Sequence, residues 1–149
     1  MEFCSSSVMA YILYKGDQAQ HPINKTQAQK LLYCCYGTVL AEFDERLTVE
    51  HPKAWPYGPV FPRTLNDINK KRLNVGMAKD FIQACRPEVL KLIDQTIEKF
   101  WGYSASALSA WSHRQGSPWD KAAPLEALDD REIQKYFAKI VPIVKGDAQ

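Results

Sequence analysis

The longest stretch of regularly spaced apolar residues lies in the first third of the chain. Its apolar positions recur at the spacing of one helical face, and they are Ala28, Leu32, Cys35, Tyr36, Val39, Leu40 and Phe43. Three more apolar residues lie off that face, namely Leu31, Tyr33 and Cys34. A helix that is apolar on nearly every side is typically buried. The pattern predicts a central helix over Lys25–Phe43, with Asn24 as its N-cap and Gln27 as the capping-box partner.

Shorter helical patterns lie on both sides of this segment. They are Val8–Tyr14, a stretch from Arg63 or Thr64 to about Lys71, Pro87 to Gly102, Ser104 to Trp111, and Asp129 to Pro142. The segment Leu73–Cys85 has no clean period and fits either a loop or a weak helix. Because strand signals are weak throughout, the sequence predicts one all-α domain of five or six helices over residues 1–149.

An uncharged, proline-rich segment, Ala54–Pro62, interrupts the helical patterns. It reads A-W-P-Y-G-P-V-F-P and contains three prolines, one glycine and three aromatic residues. Each proline fixes its own φ and pushes the preceding residue into an extended conformation, so the segment cannot be helical. We expect a stiff loop that either covers the hydrophobic core or presents an apolar surface to a partner.

A second stretch of the same character is His113–Trp119. Ser117, Pro118 and Asp120 occur in the order of an N-cap, a first helical residue and a first-turn acid, which predicts a helix start. That local explanation leaves Trp119 unaccounted for. Since both loops must cover large aromatic side chains, we expect Trp55 or Tyr57 to contact His113–Trp119.

Composition and charge indicate an ordinary soluble protein. The chain has 46% hydrophobic and 24% charged residues and a net charge of +2, which is too small to suggest a nucleic-acid backbone binder. The basic segment Arg63–Arg72 is interpreted as a solvated helix face. No secretory signal is visible, and no apolar run approaches the ~18 residues of a membrane span. We therefore expect a cytoplasmic protein in which Cys34 and Cys35 are reduced and buried.

Candidate catalytic residues are few. Cys34 or Cys35 could in principle pair with His113 as nucleophile and base, but thiols inside an apolar helix are inert. The cysteines and histidines lack the spacing of a zinc site, and no phosphate-binding or nucleophile-elbow motif occurs. The sequence therefore predicts no cofactor, no metal and no enzymatic activity.

Three motifs occur in one order along the chain. Gln29–Tyr33 reads Q-K-L-L-Y, Ala54–Val60 reads A-W-P-Y-G-P-V, and Leu108–Ala122 contains L-S followed by H-R-Q-G-S-P-W-D-K-A. They resemble the L-Q-K-L-L-Y, A-W-x-Y-G-P-V and L-S…T-H-x-x-G-S-P-W-x-x-A elements of the Panacea domain, the fold of SocA-like antitoxins. Ala28 and Ser112 depart from the Leu and Thr usual in that family.

The resemblance implies an antitoxin of a two-gene toxin–antitoxin pair, or a phage-borne relative. Such a protein neutralises its cognate protein toxin, the product of an adjacent gene, by direct binding and without catalytic residues or cofactors. Some members of the family act instead as adaptors that present the toxin to a protease. Neither a nucleic acid nor a membrane is expected as a partner.

The two loops supply the candidate partner-binding residues. They are Trp55, Tyr57, Gly58, Pro59, Val60, Phe61, His113, Arg114, Gln115, Gly116, Ser117, Pro118 and Trp119. The alternative is that both motifs are a structural signature and that the toxin binds elsewhere. Two other classes remain open, a small hydrolase that uses His113 and a nucleic-acid regulator that uses Arg63–Arg72.

The predicted central helix generates a direct test. Replacing Leu32 with alanine should lower the free energy of unfolding by about 2–5 kcal/mol, because a large side chain is removed from a packed core. The measurement is urea denaturation of both proteins. Unchanged stability in Leu32→Ala would show that this helix is peripheral.

Overall fold

The helix α2 (Lys25–Phe43) of the computed structural model spans the residues that the apolar spacing predicts. The structure describes residues 2–146. Asn24 caps α2 by accepting a hydrogen bond from Gln27 N at 2.8 Å. The Gln27 side chain does not return to Asn24 as a capping box would require, and instead it donates to the carbonyls of Trp101 and Tyr103. This side chain therefore ties the start of α2 to the loop that follows a later helix.

The fold is mostly helical, with seven further helices among the described residues. They are α1 (Ser5–Gln18), α3 (Pro62–Asn69), α4 (Val75–Ala84), α5 (Pro87–Phe100), α6 (Ala105–Ser112), α7 (Asp130–Ala138) and α8 (Val141–Val144). The sequence pattern predicts five or six. The additional ones are α4, which occupies the segment of ambiguous period, and α8, in which Pro142 lies in the first turn of a new short helix instead of ending the previous one.

The other helices pack around α2. It contacts α1, α3, α5, α6, α7 and α8, whereas α4 packs mainly against α1. Every residue of α2 from Gln27 to Leu40 is buried, and Leu32 is fully so. The buried apolar side chains form one cluster that α2 runs through. Among the residues that the structure describes, no helix has the length and apolar character needed to span a membrane.

The proline-rich loop contains a small antiparallel hairpin, β1 (Lys53–Trp55) and β2 (Gly58–Val60). The weak strand signals gave no indication of it, since each strand has three residues. A later segment pairs with the other edge of β1. Ala54 N donates to Glu126 O at 2.8 Å, and Leu125 N donates to Ala54 O at 2.8 Å. The hairpin is therefore held by backbone hydrogen bonds on both sides of β1.

The two arginines of the basic segment after the hairpin lie close to acidic side chains. Arg63 lies 3.2 Å from the Glu50 carboxylate and 3.9 Å from that of Asp67, and Arg72 lies 3.6 Å from Asp67. Both arginine side chains are more than half exposed. These contacts and the exposure of Lys70 and Lys71 agree with a solvated helix face.

Gly37 is explained by the packing of α7 against α2. A glycine inside a helix costs up to about 1 kcal/mol relative to alanine. A Cβ atom at this position would lie 2.2 Å from Cδ2 of Phe137, whose side chain is fully buried. The missing side chain therefore allows the Phe137 ring to lie directly on the α2 backbone.

Substitution of Gly37 by alanine should consequently destabilise the protein, although alanine is the better helix former. We expect a net loss of about 1–2 kcal/mol in the free energy of unfolding, because overpacking outweighs the gain in helix propensity. Gly102→Ala is the matched control, since a Cβ there meets no atom within 4 Å. Urea denaturation measures both, and a Gly37→Ala protein as stable as the wild type would contradict the packing argument.

Candidate functional site

The turn of the hairpin is shaped by Pro56 and Gly58. Trp55 and Gly58 face each other across the two strands, so that Pro56 and Tyr57 form the connection. Gly58 has φ +116°, which side-chain-bearing residues rarely adopt. A Cβ on Gly58 would lie 2.6 Å from Ser112 Oγ and 3.2 Å from Lys30 Cε. The glycine thus allows the hairpin to approach α2 and α6 at the same point.

Lys30 of α2 joins the first motif to the second. Its side chain is 2% exposed, and Nζ donates a hydrogen bond to Pro59 O at 2.9 Å. Burial lowers the pKa of Lys30 from its ordinary value of 10.5 to about 8, against the smaller opposing influence of the Cys34 thiol. The preceding residue on the helix secures the end of the hairpin, since Gln29 Oε1 accepts from Phe61 N at 2.9 Å.

Helix α6 joins the third motif to the second. Ser109 Oγ donates to Tyr57 O at 2.5 Å, and Ser112 Oγ donates to Ser109 O at 3.0 Å. Ser104 caps this helix by accepting from Ala107 N at 3.0 Å, as the sequence pattern predicts. The Ser109 hydroxyl therefore holds the hairpin turn against α6, whereas the Ser112 hydroxyl bonds within its own helix.

The two predicted loops are in contact. Trp119 Nε1 donates to Trp55 O at 2.6 Å, and the His113 and Trp119 rings meet edge to face at 5.3 Å between centroids. Ser117 Oγ accepts from Asp120 N at 3.2 Å and the Asp120 carboxylate accepts from Gly116 N at 2.9 Å. These bonds make a single capped turn, so the helix that Ser117–Asp120 was predicted to begin does not continue.

A pocket of about 550 Å³ opens where the three motifs meet, and we call it the motif pocket. Its walls are the first turns of α2, the hairpin, Leu65 of α3 and the face of α6 that ends at His113. Lys30 is a deeply buried member of the lining, whereas Tyr57 is 77% exposed. The volume falls within the range of about 300–1,000 Å³ that is common for binding pockets.

The predicted partner-binding residues differ in how far they are exposed to solvent. Tyr57, Val60 and His113 line the motif pocket. The exposed residues of the second loop are Arg114, Gln115 and Gly116, and Trp55 and Trp119 are half-buried. The more enclosed members include Pro59, Phe61, Ser117 and Pro118. Phe61 is fully buried and lies 5.8 Å from the Tyr36 ring, so its side chain belongs to the core.

Sequence reasoning missed that Lys30 and Ser109 bond to the hairpin and that Ser112 packs against Gly58. For Lys30 a signal was present, because a lysine one turn before Cys34 falls within a helix that is apolar on nearly every side. The two serines lie in a helix of mostly small residues, and no sequence pattern distinguishes them from exposed ones.

The titratable groups show no nucleophile–base pair within the described residues. Burial raises the pKa of both Cys34 and Cys35 well above the ordinary value for a thiol, which keeps them protonated. His113 Nδ1 is buried and has no hydrogen-bond partner within residues 2–146. Over the same residues, no group of three His, Cys, Asp or Glu side chains could hold a metal ion.

Comparison with known proteins gives two similarities. The model of the family "Antitoxin SocA-like, Panacea domain" matches residues 29–120, a span that begins in the first motif and ends in the third. The curated protein antitoxin SocA of Caulobacter vibrioides (strain NA1000 / CB15N) is 30% identical over 129 residues, which cover 78% of this chain and 69% of that protein. No solved structure matches the chain significantly.

The buried lysine produces a pH dependence that can be measured. Below pH 8 the folded and unfolded states both hold the Lys30 proton, and the cost of burying the charge is fully present. Between pH 8 and 10.5 the unfolded state binds more protons, so stability rises with pH. Relative to Lys30→Met, the wild type should gain up to about 3 kcal/mol across this interval.

Urea denaturation at pH 7 and at pH 10 measures the effect as a difference between wild type and Lys30→Met. The comparison cancels the titration of buried tyrosines and thiols, which both proteins share. Lys25→Met serves as the control for loss of a lysine from an exposed position in the same helix. A difference between wild type and Lys30→Met that does not change with pH would contradict the burial of a charged ammonium.

Proposed function

Because the chain belongs to the SocA-like antitoxin family with the Panacea domain, we propose that it neutralises a cognate protein toxin by direct binding and performs no chemistry of its own. The toxin is proposed to be the product of an adjacent gene. Neutralisation then follows from mass action, since a toxin held in a complex is withdrawn from its target.

This proposal rests on one observation, which is that the three motifs lie together at one surface of the protein. More than fifty residues separate the hairpin from the second loop, yet hydrogen bonds from Lys30, Ser109 and Trp119 attach both α2 and the second loop to the hairpin. The segment that matches the family model runs from the start of the first motif into the third. A rigid surface of this kind favours binding because little conformational entropy is lost when a partner docks.

The exposed residues of this surface are suited to a protein interface. Tyr57 projects from the hairpin turn with 77% of its surface exposed, although tyrosine is usually more buried. Arg114 is exposed in the second loop, where its Nε donates to the Tyr136 hydroxyl at 3.1 Å and orients the guanidinium. Tyrosine and arginine are among the residue types that most often act as interface hot spots. We therefore place the toxin contact at Tyr57 and the mouth of the motif pocket.

The fully buried residues of the two loops have a different role in this proposal. Phe61 and Ser117 support the surface from within and do not contact the toxin. Trp119 is intermediate, because its indole N–H is used by the Trp55 carbonyl while its ring is half-buried. A family with one structural framework and varied exposed residues could accommodate different toxins, which fits the buried location of much of the motif.

Tyr57→Ala tests the proposed interface without disturbing the fold. It should weaken binding of the adjacent gene's product by about 2 kcal/mol or more, as measured by isothermal titration calorimetry. The melting temperature should not change, because the side chain is exposed and the bond from Ser109 goes to the Tyr57 backbone. Tyr103→Ala is the matched control, since Tyr103 is 52% exposed and lies outside the motif pocket lining.

Trp119→Ala is the second variant, and it tests whether Trp119 stabilises the fold. It should lower the melting temperature through loss of the indole hydrogen bond and of ring packing. Full binding by Tyr57→Ala would place the interface elsewhere on the protein. Absence of any complex between the wild type and the adjacent gene's product would overturn the antitoxin assignment itself.

A further inference from the structure

Among the described residues that line the motif pocket, basic side chains occur without acidic ones. Its lining includes Lys25, Lys30 and His113, and no aspartate or glutamate among the described residues contributes to it. The remaining lining is mostly aliphatic and hydroxyl side chains, such as Val60, Leu65 and Ser109. A low-dielectric pocket with cationic groups and hydroxyl donors attracts negative charge more strongly than an exposed surface does.

Lys30 makes this pocket unusual because its positive charge is buried without a counterion. Within residues 2–146 its ammonium has one hydrogen-bond acceptor, the neutral Pro59 O at 2.9 Å, and no carboxylate within ion-pair distance. An ammonium group has three N–H donors, so two of them are left for another acceptor. Buried charges in proteins are normally paired, since desolvation of an unpaired ion is costly.

The titratable groups around Lys30 do not supply the missing negative charge. On its own helix they are the Cys34 thiol, which burial keeps protonated, and Lys25, which donates to Asn69 Oδ1 at 2.9 Å. From the hairpin and from α6 the pocket receives Tyr57 and His113. An acceptor brought from outside would therefore complete the site, and the lowered pKa of Lys30 would rise when a carboxylate arrived.

We infer that the motif pocket receives an Asp or Glu side chain of the bound toxin, which pairs with Lys30 while its apolar neighbours pack against Val60, Leu65 and Tyr57. This inference rests on the proposed function, because the occupant is a segment of the toxin. The volume of about 550 Å³ accommodates one acidic side chain and part of the residues beside it.

Pairing of Lys30 with the toxin's carboxylate would break no existing ion pair. Lys30 needs only to keep Pro59 O and to direct a second N–H to the incoming carboxylate, so the hairpin remains in place. Ser109 is already engaged with Tyr57 O. Lys30 therefore acts as the specificity-determining residue of the pocket, and Tyr57 as an apolar wall that covers the pair from water.

The test uses the full chain and the product of the adjacent gene, with dissociation constants from isothermal titration calorimetry at pH 7. Lys30→Met should weaken binding at least about tenfold, because one charged partner of a desolvated pair is removed. Lys25→Met, which removes an exposed charge of the same pocket, should change affinity by less than about threefold. Ala110→Phe should also weaken binding at least about tenfold by filling the pocket, since Ala110 belongs to the lining and takes no part in the Lys30–Pro59 hydrogen bond.

Ala107→Phe is the matched control for Ala110→Phe, since Ala107 is exposed on the same helix and outside the pocket lining. The toxin's Asp and Glu residues are then replaced singly by Asn and Gln. One replacement should weaken binding to the wild type and have little further effect on Lys30→Met, which is the signature of a coupled pair. In the complex, the pKa of Lys30 followed by NMR of its Cε should rise above about 8.

The outcomes separate the two proposals. If the wild type does not bind the adjacent gene's product, the proposed function is overturned and this inference with it. If the wild type binds while Lys30→Met and Ala110→Phe bind equally well, the interface lies elsewhere and the inference alone is overturned. If Lys30→Met binds weakly but no acidic residue of the toxin couples to it, Lys30 supports the hairpin and the acidic-side-chain inference is wrong. Should Lys30→Met fail to fold, Ala110→Phe and the NMR titration decide the question.

Discussion

The hydrogen bond between Lys30 Nζ and Pro59 O is the contact through which the buried central helix α2 holds the hairpin. A buried ammonium must have an acceptor, and the Pro59 carbonyl supplies it. The approach that permits this bond is possible only because Gly58 lacks a Cβ, which would meet both Ser112 and the lysine stem. The close approach of Lys30 and Ser112 thus explains why glycine is required at position 58 of the hairpin.

Much of the helical architecture could be predicted from the sequence. The bounds of α2 follow from an apolar pattern that is strong on every face, and the caps at Asn24 and Ser104 follow from side-chain chemistry. The hairpin could not be predicted in the same way, because strands of three residues carry no measurable alternation. The α4 helix was ambiguous for a related reason, since only Ala78 and Phe81 are buried and a one-sided contact with α1 requires few apolar positions.

The candidate site was only partly predictable. Each motif could be recognised, and the need to cover aromatic rings correctly predicted that the two loops meet. What could not be predicted is which aromatic rings are exposed. Tyr57 and Phe61 lie four residues apart in the same loop, yet one is 77% exposed and the other fully buried, because one lies at the hairpin turn and the other beyond its second strand. Pro56 and Gly58 are a local signal for a turn, but which side chains the turn exposes depends on how Gly58 packs against α2 and α6, which no local pattern encodes.

The backbone pairing of Ala54 with residues 125 and 126 has a consequence for how much chain the family framework needs. The family match ends at residue 120, so the pairing partner of β1 lies beyond it, as does Phe137, which covers Gly37. A chain cut at that limit would expose the edge of β1 and the face of α2 together. Unpaired strand edges beside apolar surface promote association between chains. The recognisable segment is therefore shorter than the segment that can cover its own core, and a truncated or fused form of the protein has to extend through α7.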